Sequence, residues 1–440
     1  MYFNSTIASP FAAQLGVLIG GGTSPPATRA TIQWARPMPG VSDLTGGGRF
    51  TSEVGFARVL RCVLACSLAI AVTFLGSCAS RPETGFLSPV SGPATGTSEH
   101  TLLIATTRER DSRPGTLFNG NRSGALDYAT ITVSVPPKHV SGQVDWPSSP
   151  PGNPQSDFVV RQPAYIDGEK AFIHTLNARL HAQPPGKRKV LVFIHGYNTM
   201  FAEGLYRFSQ IIQDSGSPAV PVLFTWASQG SLTGYVYDTN SATVARDDLE
   251  HTLRLIAASD ADEINVVAHS MGNWVTVEAI RQIKISGNTR GENKVGAVIL
   301  AAPDIDLDVF KSEMKRIGRL RKPVIIVVSK DDQALRFSRF IAGDRPRLGA
   351  DSNVQELAAL GAIVIDLSTL KGDDPFNHGK FAQLASVAPE LERVLQEGIA
   401  TDKGSVPKNR TAIGGTLASF VTLPVRIIHT PRQMVSEAQP

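Results

Sequence analysis

Six short runs of unbroken apolar character constrain this chain most. They are residues 190–194 (VLVFI), 220–225 (VPVLFT), 264–268 (INVVA), 297–300 (AVIL), 324–328 (VIIVV) and 363–367 (IVIDL). A run that is apolar at nearly every position, rather than at alternate ones, belongs to a strand covered on both faces. Helical periodicity fills the gaps, most clearly at Ala202–Gln213, Ala242–Ala258, Met271–Ile283, Leu307–Ile317 and Lys380–Gln396. Alternation of buried strand and helix predicts an α/β architecture with a mostly parallel, doubly wound sheet. Two β-branched runs, Thr101–Thr106 and Ala129–Val135, precede this region and read as further strands. Lys138–Pro163, rich in Pro, Ser and Gly, reads as loop. No internal repeat is present. The folded body is expected over residues 99–400, followed by a tail over 401–440. Thr411–Val425 in that tail is apolar but too short to span a bilayer comfortably.

The third run leads straight into Ala268-His269-Ser270-Met271-Gly272 and then a helix. This resembles the Gly-x-Ser-x-Gly nucleophile elbow, with alanine at the first small position. The serine occupies a strained turn, so the residues two before and two after must be small for strand and helix to approach. A serine between small residues is otherwise an ordinary helix cap. Its place between a buried strand and a helix makes Ser270 the expected nucleophile.

The elbow orders its partners as serine, acid, histidine. Only His378 and His429 follow Ser270. His429 lies in the tail, whereas His378 follows the last strand in Asp373-Asp374-Pro375-Phe376-Asn377-His378-Gly379. His378 is therefore the expected base. The acid belongs in a loop at the C-terminal end of a strand. Asp332 is favoured, because its loop follows the strand before the histidine strand. Asp331 in the same loop and Asp304 after residues 297–300 remain alternatives. Asp331 could equally be a solvated loop carboxylate, and Asp304 could belong to the start of the next helix. In such a set the carboxylate orients the imidazole, the imidazole takes the serine proton, and the serine attacks a carbonyl. The backbone N–H groups of Met271 and Tyr197 are the expected oxyanion donors. Gly196, just before Tyr197, permits close approach, and His195 reads as a supporting residue. Trp226, Tyr235 and Tyr237 leave the end of a strand and are candidates for the pocket wall. Asp238 could cap the helix that follows.

The segments VFIHGYN, FTWASQGSLTGYVYD, NVVAHSMGN, AAPDIDLDVF, SKDDQAL and NHG together resemble a bacterial α/β-hydrolase family catalogued as a domain of unknown function. The resemblance runs over about residues 100–395. Thr106-Thr107-Arg108 and Val133-Ser134-Val135-Pro136 resemble its N-terminal strands. It implies an α/β-hydrolase fold and hydrolase chemistry. The family's Ser-x-x-Asp-x-Ala-Leu aspartate matches Asp332. No substrate comes with the resemblance. Only about 20 residues separate AVIL from VIIVV, room for one helix. No cap domain is therefore expected between those strands, and the site should be open.

The three cysteines, Cys62, Cys66 and Cys78, all fall in one N-terminal stretch, so the body has neither disulfide nor cysteine metal site. Residues 62–80 carry no charge and follow Arg58 and Arg61. A basic start, an apolar run and small residues make a secretory signal. Its end, Leu75-Gly76-Ser77-Cys78, resembles the bacterial lipobox, which implies lipidation of Cys78 and, with Ala79 next, an outer-membrane lipoprotein facing the periplasm. The apolar run of about 16 residues is short for a spanning helix. The signal is expected over residues 54–78 and a flexible tether over 79–98. Residues 1–53, rich in Gly, Pro, Ser and Thr, are expected to be disordered or to precede the true start near Val54. Net charge is +4, from 43 basic and 39 acidic residues, which argues against a nucleic-acid partner.

The expected function is hydrolysis of an ester, thioester or lipid ester through an acyl-serine, on a small-molecule or lipid acyl substrate. It needs no cofactor and no metal. An acyltransferase with the same residues, a peptidase and an inert lipoprotein scaffold are the competing readings.

Overall fold

The computed structural model describes residue 81, residues 84–387 apart from 93, 288, 319, 352 and 373, and residues 426–428. All of these belong to one unit, Ser80–Pro440. The upstream segment 1–53, the signal 54–78 with Cys78, and His429 lie outside the described residues.

The strands are β1 (Ser98–Asp111), β2 (Leu117–Val135), β3 (Val159–Ile166), β4 (Lys189–Ile194), β5 (Val220–Thr225), β6 (Glu263–His269), β7 (Val295–Ala301), β8 (Val324–Val328), β9 (Ile363–Asp366) and β10 (Arg426–Ile428). The helices are α1 (Gly168–Leu180), α2 (Phe201–Ser215), α3 (Tyr235–Ala258), α4 (Gly272–Ile285), α5 (Thr289–Lys294), α6 (Leu307–Ile317), α7 (Gln333–Ile341), α8 (Leu348–Asp351) and α9 (Val354–Ala359). The strands form one sheet in the order β10-β9-β8-β7-β6-β4-β5-β1-β2-β3. From β1 through β5, β4, β6, β7 and β8 to β9 all pairings are parallel, and β2, β3 and β10 are antiparallel at the edges. This is the α/β-hydrolase fold.

Burial explains why the apolar runs are strands. All five residues of β8 are buried, because helices cover both faces of the sheet. One face packs Leu176 of α1, Leu249 and Leu253 of α3, Val275 and Ile280 of α4 and Phe310 of α6. The other packs Leu205, Phe208 and Ile212 of α2 with Phe381 and Leu384 of a 3-10 turn over Lys380–Val387. Only α6 lies between β7 and β8, so no cap domain interrupts the sheet there.

The chain passes from β4 outward to β5, then returns to place β6 on the other side of β4. The C-terminal ends of β4 and β6 thus adjoin, with Ile194 paired to Ala268. A crevice opens where strand order reverses in such sheets, and ligands bind there.

Three sequence expectations are corrected. The segment Lys138–Pro163 is loop only as far as Phe158, because Val159 starts β3 in register with Ser134. Pro163 is tolerated since β3 is an edge strand. The helix expected from Ala242 begins at Tyr235, and its first turn shows no apolar period because a buried polar residue, Asp238, stands there and accepts from Gln229 N–H in the preceding loop. The helix expected from Lys380 is 3-10 over its described part, Lys380–Val387.

Candidate active site

Ser270 stands between β6 and α4 with φ of 53°, a left-handed backbone that non-glycine residues rarely adopt. Packing enforces it. A Cβ on Gly272 would meet the carbonyl oxygen of His195 at 2.3 Å and that of Ile194 at 2.8 Å. A Cβ on Gly196 would lie 2.6 Å from Ser270 Cβ and 3.2 Å from its Oγ. Neighbouring bonds clamp the turn: Ser270 N–H donates to Ala301 O at 3.0 Å. Asn273 Nδ2 donates to both Ser270 O and Ala301 O at 2.8 Å. Asn273 was not distinguished by sequence, since an asparagine in the first turn of a helix carries no separate signal.

His378 follows β9 in a loop organised by Asp374, whose carboxylate accepts from the N–H groups of Phe376, His378 and Gly379 at 2.9, 3.1 and 2.8 Å. Its Nδ1 lies 2.7 Å from Asp332 Oδ2. Asp332 is fully buried at the start of α7, where its Oδ1 accepts from Leu335 N–H at 2.9 Å. A neutral imidazole in this setting donates from Nδ1 and leaves Nε2 as acceptor. Burial pulls the His378 imidazole down, but the hydrogen bond and charge of Asp332, aided by Asp304 and Asp374, outweigh it and hold the group above its ordinary value.

The other two acids are engaged elsewhere. Asp331 is bound by Lys380 Nζ at 2.6 and 2.7 Å, by Ser329 Oγ at 2.6 Å and by Asn377 Nδ2 at 3.2 Å. Asp304 is buried, with both oxygens accepting from Ser338 Oγ at 2.6 and 2.8 Å. It lies against Arg347 Nε at 3.4 Å. It does not cap α6; Asp306 does, accepting from Asp308 and Val309 N–H. Burial raises the Asp304 carboxyl against the pull of Arg347 and Ser338.

His195 is buried and stacks on Trp226 with ring centroids 5.2 Å apart. Its Nε2 lies 2.9 Å from Thr225 Oγ1. Burial first, then the Arg108 guanidinium, pushes it down to about 3, so it stays neutral at physiological pH. The turn that follows carries Tyr197. Asp238, fully buried, accepts from Asn198 N–H at 3.0 Å, Ser228 Oγ at 2.6 Å and Gln229 N–H at 2.9 Å. It therefore ties the Tyr197 turn to the loop after β5, rather than capping α3. Met271 starts α4 on the other side of Ser270.

Ser270, Asp304 and His378 line one cavity of about 490 Å³. Its wall is mainly Tyr197, Leu232, Tyr235, Phe337, Phe376 and Phe381. Of the three aromatic candidates only Tyr235 reaches it. Trp226 is fully buried under His195, and the Tyr237 hydroxyl donates to Gly120 O at 3.1 Å while its ring carries Arg122. Among the described residues no cluster of three metal-ligating side chains occurs.

The strand order and the serine turn at the switch point define an α/β-hydrolase. Residues 169–395, more than half of the chain, match the family described as alpha/beta hydrolase of unknown function (DUF900), and the chain belongs to that family. The match starts later than the resemblance near residue 100. Among solved structures the chain is similar to an esterase from Rhizomucor miehei at 13% identity, covering 69% of this chain and 82% of that one, with a TM-score of 0.27. It is also similar to a Pyrobaculum calidifontis esterase at 12% identity, covering 70% and 85%, with a TM-score of 0.26. Likenesses at that level carry no argument about this chain. No curated protein matches it.

Proposed function

We propose that this hydrolase is a serine esterase that cleaves an ester, thioester or lipid ester through an acyl-serine. The carrying observation is that His378, paired to buried Asp332 at 2.7 Å, lines the same cavity as Ser270 on its left-handed turn. In this reading Asp332 fixes the imidazole, His378 takes the Ser270 proton, and Ser270 attacks the acyl carbon. The N–H groups of Met271 and Tyr197 receive the oxyanion. His378 then protonates the leaving alcohol, and water repeats the sequence to free the acid. The aromatic and aliphatic wall favours an apolar acyl group. An acyltransferase would differ only in the acceptor that replaces water.

A fluorophosphonate probe tests this. The parent should be labelled and Ser270→Ala should not. A folded parent that stays unlabelled supports the scaffold reading.

The acid limb of kcat/KM should reflect His378, which must be neutral to act, so activity rises with pH through a value above its ordinary 6.5. Asp304→Asn removes a negative charge that favours the imidazolium. Its limb should move to lower pH, with the plateau largely kept. A pH–rate profile checks both the direction and the plateau. Loss of the plateau would make Asp304 part of the reaction itself.

The lipobox-like end at Cys78 supports attachment to the outer membrane, facing the periplasm. Cys78→Ser should release the protein from membranes or leave a larger precursor, read by fractionation and gel mobility. Unchanged partition and mobility would remove the anchor.

A further inference from the structure

Five large apolar side chains stand exposed around the mouth of the cavity: Leu232, Val236, Phe337, Phe340 and Phe376. Leu232, Phe337 and Phe376 also line it, so the apolar surface runs without a break from the interior to the outside. Local geometry groups the five. Phe337 and Phe340 are one turn apart on α7, and Val236 in the first turn of α3 follows the 3-10 turn that carries Leu232. The Tyr235 hydroxyl lies 3.0 Å from Ser338 Oγ and joins the two helices. Gln333 N–H donates to Phe376 O at 2.8 Å and joins the third element. An exposed cluster of this size is a contact surface rather than scatter.

Basic groups flank it. Arg336 precedes Phe337 and donates only to neutral oxygens, Lys330 O at 3.1 Å and Gln333 Oε1 at 3.4 Å. Lys330 and Arg345 are exposed beside the same helix. Among the neighbouring acids Asp344 and Asp351 are paired with Arg339. Aromatic and aliphatic tips flanked by exposed cations suit the boundary between acyl chains and anionic headgroups. Arg81 donates to Asn198 Oδ1 at 2.7 Å, Asn198 O at 3.0 Å and Gly230 O at 3.0 Å, and Asn198 lines the cavity. In sequence Arg81 follows Cys78 by three residues.

We propose that this rim docks on the surface of a bilayer containing anionic phospholipid, so that acyl substrates pass from the lipid phase into the cavity. The substrate part of this rests on the esterase reading; the docking part does not. The rim is built on α3, α7, the turn at Leu232 and the loop at Phe376, and no lid has to open.

The full chain, carried in vesicles of phosphatidylethanolamine and phosphatidylglycerol, tests the docking with Phe340→Trp. Phe340 is 78% exposed. Brominated lipid should quench the added emission by about half or more, as expected for a ring at the headgroup boundary. Ile285→Trp, 47% exposed at the far end of α4, should be little affected. Equal quenching at the two positions overturns the proposal. So does an emission shift at position 340 that follows protein concentration without lipid, which would make the rim a self-association surface. Neither readout needs activity, so a failed esterase reading leaves the docking result intact. A second measurement tests delivery of substrate. Val236→Ser with Phe340→Ser changes two side chains outside the cavity wall. It should lower turnover of a long-chain ester held in vesicles about tenfold, the loss of two buried apolar tips. Turnover of a dissolved short-chain ester should stay within about twofold, since the cavity is unchanged. Equal losses on both esters, or none on the vesicle ester, overturn that step.

Discussion

Ser270→Ala and His378→Ala are each expected to lower ester turnover by roughly three orders of magnitude or more, because in the proposed mechanism every step of acyl transfer uses both groups. Neither change should unfold the protein. Ser270 contributes only its hydroxyl at a turn whose backbone is held by Ala301 and Asn273. The His378 loop is organised by Asp374 through backbone bonds that survive loss of the ring. Asp332→Asn should cost less than either. An amide oxygen can still cap α7 through Leu335 N–H, but the NH2 then donates to Nδ1, favours the tautomer with the proton on Nε2, and no longer stabilises the imidazolium. The double variant Ser270→Ala with His378→Ala should scarcely exceed one single variant, since the residues act as a unit. Steady-state turnover of a dissolved ester and thermal unfolding of each variant measure this. Independent, multiplying losses would overturn the shared role. Full activity in Asp332→Asn with loss in Asp304→Asn would transfer the acid to the β7 loop.

Gly272→Ala is expected to cost about 3 kcal/mol or more, at the upper end for overpacking, because nothing nearby can yield. Its Cβ would stand 2.3 Å from the His195 carbonyl oxygen and 2.8 Å from that of Ile194, both backbone atoms of the end of β4. Relief requires α4 to move away from the sheet, and Ser270 moves with it. A shift of about 1 Å at the reacting atom costs on the order of a hundredfold in turnover. Gly287→Ala supplies the contrast. Gly287, unlike Gly272, has a positive φ, 67°, and a Cβ there meets nothing within 4 Å. That change should cost only about 1–2 kcal/mol of backbone strain and leave turnover alone. Denaturant midpoints and ester turnover separate the two. Similar stability losses for both glycines would mean that close approach at the serine turn is not what demands glycine.

The two glycines illustrate what could be read before folding. Both are visible as letters, but only Gly272 sits two residues after a serine that follows a buried strand, so its role was legible. His378 was legible for a similar reason: chain order left His429 as its sole rival, and position after the last strand chose between them. Asp332 was harder. Position favoured its loop, and the family resemblance supported it over Asp331, whose carboxylate is bound by the buried Lys380. Nothing local announces that pairing, because the two residues lie 49 positions apart.

Sequence alone determined the class of fold, the serine turn, and the short list of partners, because these depend on local period and on the order of elements. A strand that is apolar throughout must be covered on both faces wherever it ends up. Tertiary structure alone decided what each polar side chain touches. Asp238 holds the Tyr197 turn from 40 residues away. Asp304 shares the cavity with His378 yet gives both oxygens to Ser338. Trp226 packs beneath His195 rather than lining the cavity. Polar side chains carry no period, and a single one has several partners within reach of its loop. Which of them it meets depends on how the ends of β4, β6, β7 and β8 converge, and that convergence is a property of the whole sheet.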